Sequence, residues 1–188
     1  MELSELFLDH LRDIYYAERA ATKALPKMLK AAQHEQLRDL FSQSKDEKPH
    51  HIDLLKGVFE AVGKRATGKT CDAMDGLISE VEELLEEAKE PSPVRDAGLI
   101  ANAQAIAHYG IARYGTMIAW AKAAEIEDAV EPLEEMLEAC KSADEHLSEL
   151  ANEVLNEEAA DEEDEDEEDE EEEEEEEKPA PAPSRKRK

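Results

Sequence analysis

The residues of this sequence best suited to chemistry are acidic and imidazole side chains on helical seams that should be apolar. Glu18 stands between Ile14 and Ala21, in steps of four and three. Glu47 and His51 are one helical turn apart, and His50 stands three residues after Glu47. Cys140 and Asp144 are again one turn apart. A carboxylate in an apolar seam is costly unless a cation, a hydrogen-bond donor or a metal compensates it. Inward-pointing carboxylates and imidazoles on facing helices are how helical bundles hold iron or manganese, and Glu-x-x-His spacing puts two ligands on nearly one face. Oxygen and imidazole donors suit iron, manganese or zinc. Glu18, Glu47, a histidine and Asp144 could together hold a single metal ion.

Each of these residues also has a structural reading. Glu18 could be bonded to a tyrosine or lysine neighbour. His50 and His51 follow Pro49 and could belong to an ordinary helix start. A one-residue error in the seam would carry Glu47 to the surface. Asp144 could pair with Lys141, and Cys140 reads as a small buried hydrophobe. His10, His34, His108 and His146 have no partner identifiable from spacing, and Phe7 and Trp120 read as core. Gly63-Lys-Arg-Ala-Thr-Gly-Lys-Thr70 contains Gly-Lys-Thr, but its spacing is not that of a phosphate loop and no strand precedes it.

The elements that would position these residues are helices. Ala, Leu, Glu and Lys dominate the chain, and all seven of its glycines lie at or beyond Gly57. Leu3, Phe7, His10, Ile14, Glu18, Ala21, Leu25 and Met28 form one seam of a helix over 2–32. Pro26 predicts a kink or an early end there. A second helix over 35–62 carries Leu37, Leu40, Ser44, Glu47, His51, Leu54, Val58 and Ala61. Pro49 predicts a bend or a fresh start, and Gly63 a stop. A short helix over 71–89 ends before Pro91-Ser92-Pro93. Long helices follow over 93–123 and 126–155. Two helical hairpins joined by about thirty residues predict an all-α, ferritin-like four-helix bundle, with the short extra helix inside its long crossover.

Charge divides the chain in two. Nineteen of its fifty acidic residues, and none of its twenty-two basic ones, fall within 157–177. Seventeen consecutive acidic residues, Asp161 to Glu177, cannot bury a core and repel one another. A Pro/Ala spacer and a basic tip, Arg185-Lys-Arg-Lys188, follow. These patterns predict a folded domain over 1–156 and a disordered polyacidic tail over 157–188. The tail would bind basic partners or act only as a solubilising segment. The net charge of −28 argues against nucleic acid as a partner through any broad basic face. No apolar run approaches the roughly 18 residues of a membrane span, and the N-terminus lacks the features of a signal peptide. Two cysteines far apart in sequence fit reduced thiols in a cytoplasmic protein.

The chain also resembles the YciE/YciF-type bacterial stress proteins of the ferritin-like superfamily. The resemblance is carried by Leu8-Asp-His-Leu-Arg-Asp-Ile-Tyr-Tyr-Ala-Glu18, Ala24-Leu-Pro-Lys27, Cys71-Asp-Ala-Met-Asp-Gly-Leu-Ile78, Val94-Arg-Asp-Ala97, Ala103-Gln104, His108-Tyr109 and Tyr114-Gly-Thr116. It implies a ferritin-like bundle, a homodimer and a di-iron centre with ferroxidase-like chemistry. Glu18 matches the family's first-helix carboxylate. A carboxylate-rich segment on the second helix aligns with Asp46-Glu47-Lys48, so Asp46 or Glu47 would substitute there. The family's Glu-His-Tyr-Glu on the third long helix reads Ala107-His-Tyr-Gly110 here. Its Glu-Glu-Glu-Lys-x-x-Asp on the fourth reads Glu138-Ala-Cys-Lys-Ser-Ala-Asp144. Glu138 and Asp144 remain, whereas Ala107, Gly110, Ala139 and Cys140 replace carboxylates. The resemblance therefore implies either an incomplete metal centre, with iron, manganese or zinc at Glu18, Asp46, Glu47, His50, His51, Glu138 and Asp144, or a metal-free relative.

Overall fold

A computed structural model of the chain describes residues 2–161, and every regular element among them is helical. The long helices are α1 (Leu3–Ala31), α2 (Glu35–Ala61), α4 (Pro93–Ala123) and α5 (Val130–Leu150). The shorter α3 (Asp72–Glu87) lies in the connection between α2 and α4. α1 packs on α2 and α4, and α5 packs on α4 and α2, so the four long helices close a ring. α3 packs outside that ring, across α1 and α4.

Local chemistry explains most of the boundaries. Ser92 accepts a hydrogen bond from the Arg95 backbone N–H at 3.1 Å, and Pro93 opens α4 where its missing N–H costs nothing. α2 stops at Gly63, whose φ of +64° suits glycine. The Gly63 and Lys64 N–H groups close onto Glu60 and Phe59 carbonyls. Cys71 caps α3, its sulfur accepting from the Met74 N–H at 3.4 Å.

α1 and α2 run through Pro26 and Pro49, so of the outcomes expected there the early end and the fresh start do not occur. Both prolines are exposed, so their rings face solvent while the buried faces hold each helix together. The last helix is less regular than expected: a 3-10 turn over Glu127–Ala129 precedes α5, and a wider π turn over Ala151–Leu155 follows it. Residues 156–161 continue as helix. Leu155 is buried and anchors that extension. The expected disorder of the polyacidic tail falls, beyond Asp161, outside the described residues.

The core is in two parts. One end of the ring buries Phe7, Leu11, Leu55, Phe59, Tyr114 and Leu133. The other buries Met28, Leu37, Phe41, Leu99, Ile100 and Leu147. The polar centre lies between them.

A pair of buried polar residues ties the helix ends together. The Arg95 guanidinium donates to the Ala31 carbonyl at the end of α1, to Ala88 beyond α3, and to Lys89 at 2.8 Å. The Asp96 carboxylate accepts from the Gln33 and His34 backbone N–H groups at 2.7 to 3.1 Å. Adjacent residues at the start of α4 thus satisfy carbonyls at two helix ends and N–H groups at a helix start. This is the structural use of the Val94-Arg-Asp-Ala97 segment.

Candidate functional site

α1 delivers Glu18 to the middle of the ring, where it is 7% exposed. Both of its oxygens are engaged. Oε2 accepts from Lys48 Nζ at 2.8 Å, and Oε1 accepts from the Tyr114 hydroxyl at 2.8 Å. Burial pushes the Glu18 carboxyl up, but the Lys48 charge and the hydrogen bonds outweigh it and hold the group below its ordinary value. Burial likewise opposes the Lys48 ammonium, and Glu18 reverses that and holds it charged. Tyr114 and Cys140 remain protonated: burial, reinforced by Glu18, pushes the Cys140 thiol up to about 12.

Lys48, not Glu47, takes the inward position on α2. Glu47 is exposed and bonded to Gln43 at 2.9 Å. Leu37, His51 and Val58 of the expected seam are buried, but Phe41 and Leu55 are buried where Leu40 and Leu54 were expected, and Phe59 is buried while Ala61 is exposed. His51 is buried, and burial followed by the Lys48 charge holds its imidazole below the ordinary value, hence neutral. Its Nδ1 is buried and has no hydrogen-bond partner among the described residues.

The other candidate residues are dispersed. His50 reaches across the surface to Glu135 on α5 at 2.6 Å. Asp46 is on the surface beside Lys45, and Glu138 is on the surface beside Lys141. Asp144 faces α4, where it accepts from Gln104 at 3.0 Å and lies 3.1 Å from His108. Its partners are thus on α4, and the expected pairing with Lys141 is not made. A cavity of about 470 Å³ at the centre is lined by Glu18, Glu47, Lys48, His50, His51 and Glu138, but not by Asp46 or Asp144. Among the described residues, no three His, Cys, Asp or Glu side chains converge as a metal site.

At the expected carboxylate positions the chain is small and apolar. Ala107, Gly110, Ala139 and Cys140 all line the cavity. A Cβ on Gly110 would lie 2.6 Å from Cys140 Sγ, so the glycine is what lets α4 and α5 approach here. The donor set therefore does not fit a di-iron group. The α2 side chain that meets Glu18 is the Lys48 ammonium instead of the expected Asp46 or Glu47 carboxylate, and Ala107 and Gly110 supply no ligand from α4.

A second polar cluster lies on the other side of α1. The Asp13 carboxylate accepts from the Tyr109 hydroxyl at 2.7 Å and from the Cys71 thiol at 3.4 Å. Arg113 covers the Tyr109 ring at 5.1 Å and meets His10 Nδ1 at 3.0 Å. His10 in turn sits edge-on to Trp120. Nearby, Lys69 bonds Asp9, and Tyr16 bonds Asp75 at 2.8 Å. Asp9, Asp13 and Tyr16 thus fasten the crossover and α3 to the ring, while His10 packs on α4. Glu18 is the one charged residue of the first-helix motif that lines the central cavity. Sequence spacing missed Lys48, Tyr114, Arg95 and Asp96. Tyr114 lies in the quoted Tyr-Gly-Thr segment, and Lys48 directly follows Glu47.

These features define an all-helical protein built as a four-helix ring with a helical crossover and a polar, cavity-bearing centre. The family model for a domain of unknown function, DUF892, matches residues 2–160, and the chain belongs to that family. It is 36% identical over 158 residues to Protein YciF of Escherichia coli strain K12, covering 84% of this chain and 95% of that protein. The crystal structure of the E. coli stress protein YciF aligns with a TM-score of 0.78 at 35% identity, covering 82% of this chain and 98% of that one. YcfI from Rhodopseudomonas palustris aligns with a TM-score of 0.76 at 42% identity, covering 79% and 94% respectively. The resemblance read from the first-helix, Cys71 and Tyr114 segments is thereby shown. Among the described residues no helix is long and apolar enough to cross a membrane.

Proposed function

We propose that this chain is a metal-free, ferritin-like relative of the YciF stress protein, in which an internal ion pair replaces the metal centre. One observation carries the reading: Lys48 Nζ sits 2.8 Å from Glu18, with Tyr114 on the other carboxylate oxygen. A buried ammonium there supplies the positive charge a metal would supply and repels a metal that tried to enter. The ring with its long crossover supports the ferritin-like assignment. The protein then acts in stress as a cytoplasmic helical assembly, a homodimer in the family manner, and not as a ferroxidase. Metal analysis of the purified protein, with an Fe(II) oxidation assay, tests this. The expected result is metal well below one per chain, no oxidation, and a melting temperature indifferent to iron and chelator. One metal per chain would overturn the reading.

One observation favours a second reading. His51 keeps an unpartnered imidazole nitrogen at the cavity that Glu18, Glu47 and His50 also line. A single divalent ion, iron, manganese or zinc, would bind there if Lys48 gave way. That reading requires stoichiometric metal that disappears in Glu18→Ala.

A further inference from the structure

The central cavity has a shape and a chemistry that the ion pair does not use. It occupies about 470 Å³, within the size range of small-molecule sites. Its walls are mostly apolar, with Ala21, Met28, Phe41, Ile106, Ala143 and Leu147 among them. Ala107, Gly110 and Ala139 line it with small side chains or none, which leaves the space open. Its mouth is between α2 and α5, at the exposed side chains of Glu47, His50, Glu135 and Glu138.

Charge inside the cavity is balanced. Glu18 and Lys48 neutralise each other, Cys140 is a thiol, and His51 is neutral. Among the described residues, an entering anion would pass three glutamates and find no free cation, and an entering cation would find no free carboxylate inside. One polar side chain stands unused: His51 lines the cavity, is 9% exposed, and its ring makes no hydrogen bond among the described residues. A largely buried imidazole of this kind is expected to find a partner.

We infer that the cavity binds a neutral, largely apolar small molecule bearing a hydroxyl group, which bonds to the His51 imidazole. A hydroxyl both donates and accepts, so it serves either imidazole tautomer. The apolar body fills the space between the two halves of the core. This rests on the metal-free reading, because a metal at Glu18 and His51 would take the same imidazole.

Calorimetric titration of the full chain, its metal content measured on the same sample, tests the inference. The probes are para-butylphenol, butylbenzene and para-butylbenzoate. The phenol should bind once per chain, about tenfold more tightly than either of the others, as one added hydrogen bond gives. His51→Phe should bring the phenol to within about threefold of butylbenzene while butylbenzene still binds. Ala143→Leu and Ala107→Met fill the cavity from α5 and α4. Whichever of them keeps a cooperative melt should weaken the phenol and butylbenzene alike, by about tenfold or more. No phenol binding to metal-free protein, tighter binding of the benzoate, or unchanged binding in a folded filled variant would each overturn the inference. Stoichiometric metal would instead overturn the metal-free reading, whatever the probes do.

Discussion

At the scale of single residues, the centre depends on Lys48 and Glu18 being present together. Removing one partner of a buried pair leaves the other charged in a poor solvent, at a cost of about 3–5 kcal/mol. Lys48→Met should therefore destabilise the protein by that order in urea unfolding, and Glu18→Leu added to it should recover most of the loss. A double variant as unstable as the single would show that the pair is not what holds the centre. Titration gives a second signature. The folded pKa of Glu18 lies below the ordinary 4.5, so its contribution is present above that value and lost as pH falls through the folded one. Lys48 is raised above 10.5, so its contribution is full below 10.5 and lost as pH rises through the folded value. His51 is lowered below 6.5, chiefly by burial, so the unfolded chain takes that proton first. Stability should then begin to fall as pH drops below about 6.5. In His51→Phe that first decline should shrink to the part left by His10, whose imidazole is also held low by burial and the Arg113 charge. The measurement is the unfolding midpoint between pH 8 and pH 4.

At the scale of elements, the α4–α5 contact shows what replaced the carboxylates. Gly110 faces Cys140 so closely that an added Cβ would stand 2.6 Å from the sulfur. Gly110→Ala gains up to about 1 kcal/mol of helix propensity but overpacks the seam, which typically costs about 1–3 kcal/mol. The net effect should be a loss, and Cys140→Ala in the same chain should reverse it. Gly115 on the same helix has open space around its Cβ position, so Gly115→Ala should stabilise by about 0.5–1 kcal/mol. Equal effects at the two glycines would mean that the close approach is not real. The elements themselves were largely legible in the sequence. Ser92-Pro93 starts a helix and Gly63 stops one by local chemistry that does not depend on the rest of the fold. The inward residue of α2 was not legible. A one-residue slip rotates a helix by about 100°, which is enough to exchange Glu47 for Lys48. A lysine is also an unlikely candidate for burial until its partner is known. Arg95 and Asp96 were hidden for the same reason: their partners are backbone groups, those of Ala31, Gln33 and His34 more than sixty residues away, with no pattern of their own in the sequence.

At the scale of the whole molecule, the fold and the charge belong to different parts of the chain. The crossover explains why the helix count and the two hairpins could be read from periodicity and the closing of the ring could not. The crossover is held down on α1 by Asp9, Asp13 and Tyr16 gripping Lys69, Cys71 and Asp75. Those are long-range polar contacts, and each half reads as an ordinary surface residue. Residues 162–188 hold sixteen acidic and five basic side chains, so removing them takes away eleven net negative charges. The described body is itself acidic, so like-charge repulsion across the boundary at Asp161 destabilises the compact state. Truncation after Asp161 should leave the two-part core intact and raise the melting temperature slightly in low salt. The gain should disappear by about 0.15 M salt, where charges more than roughly 8 Å apart are screened. A truncated chain that melts lower at low salt, with the difference again erased by salt, would mean that the basic tip, Arg185 to Lys188, contributes attraction to the acidic body. In that case charge reversal at the tip alone should reproduce the loss.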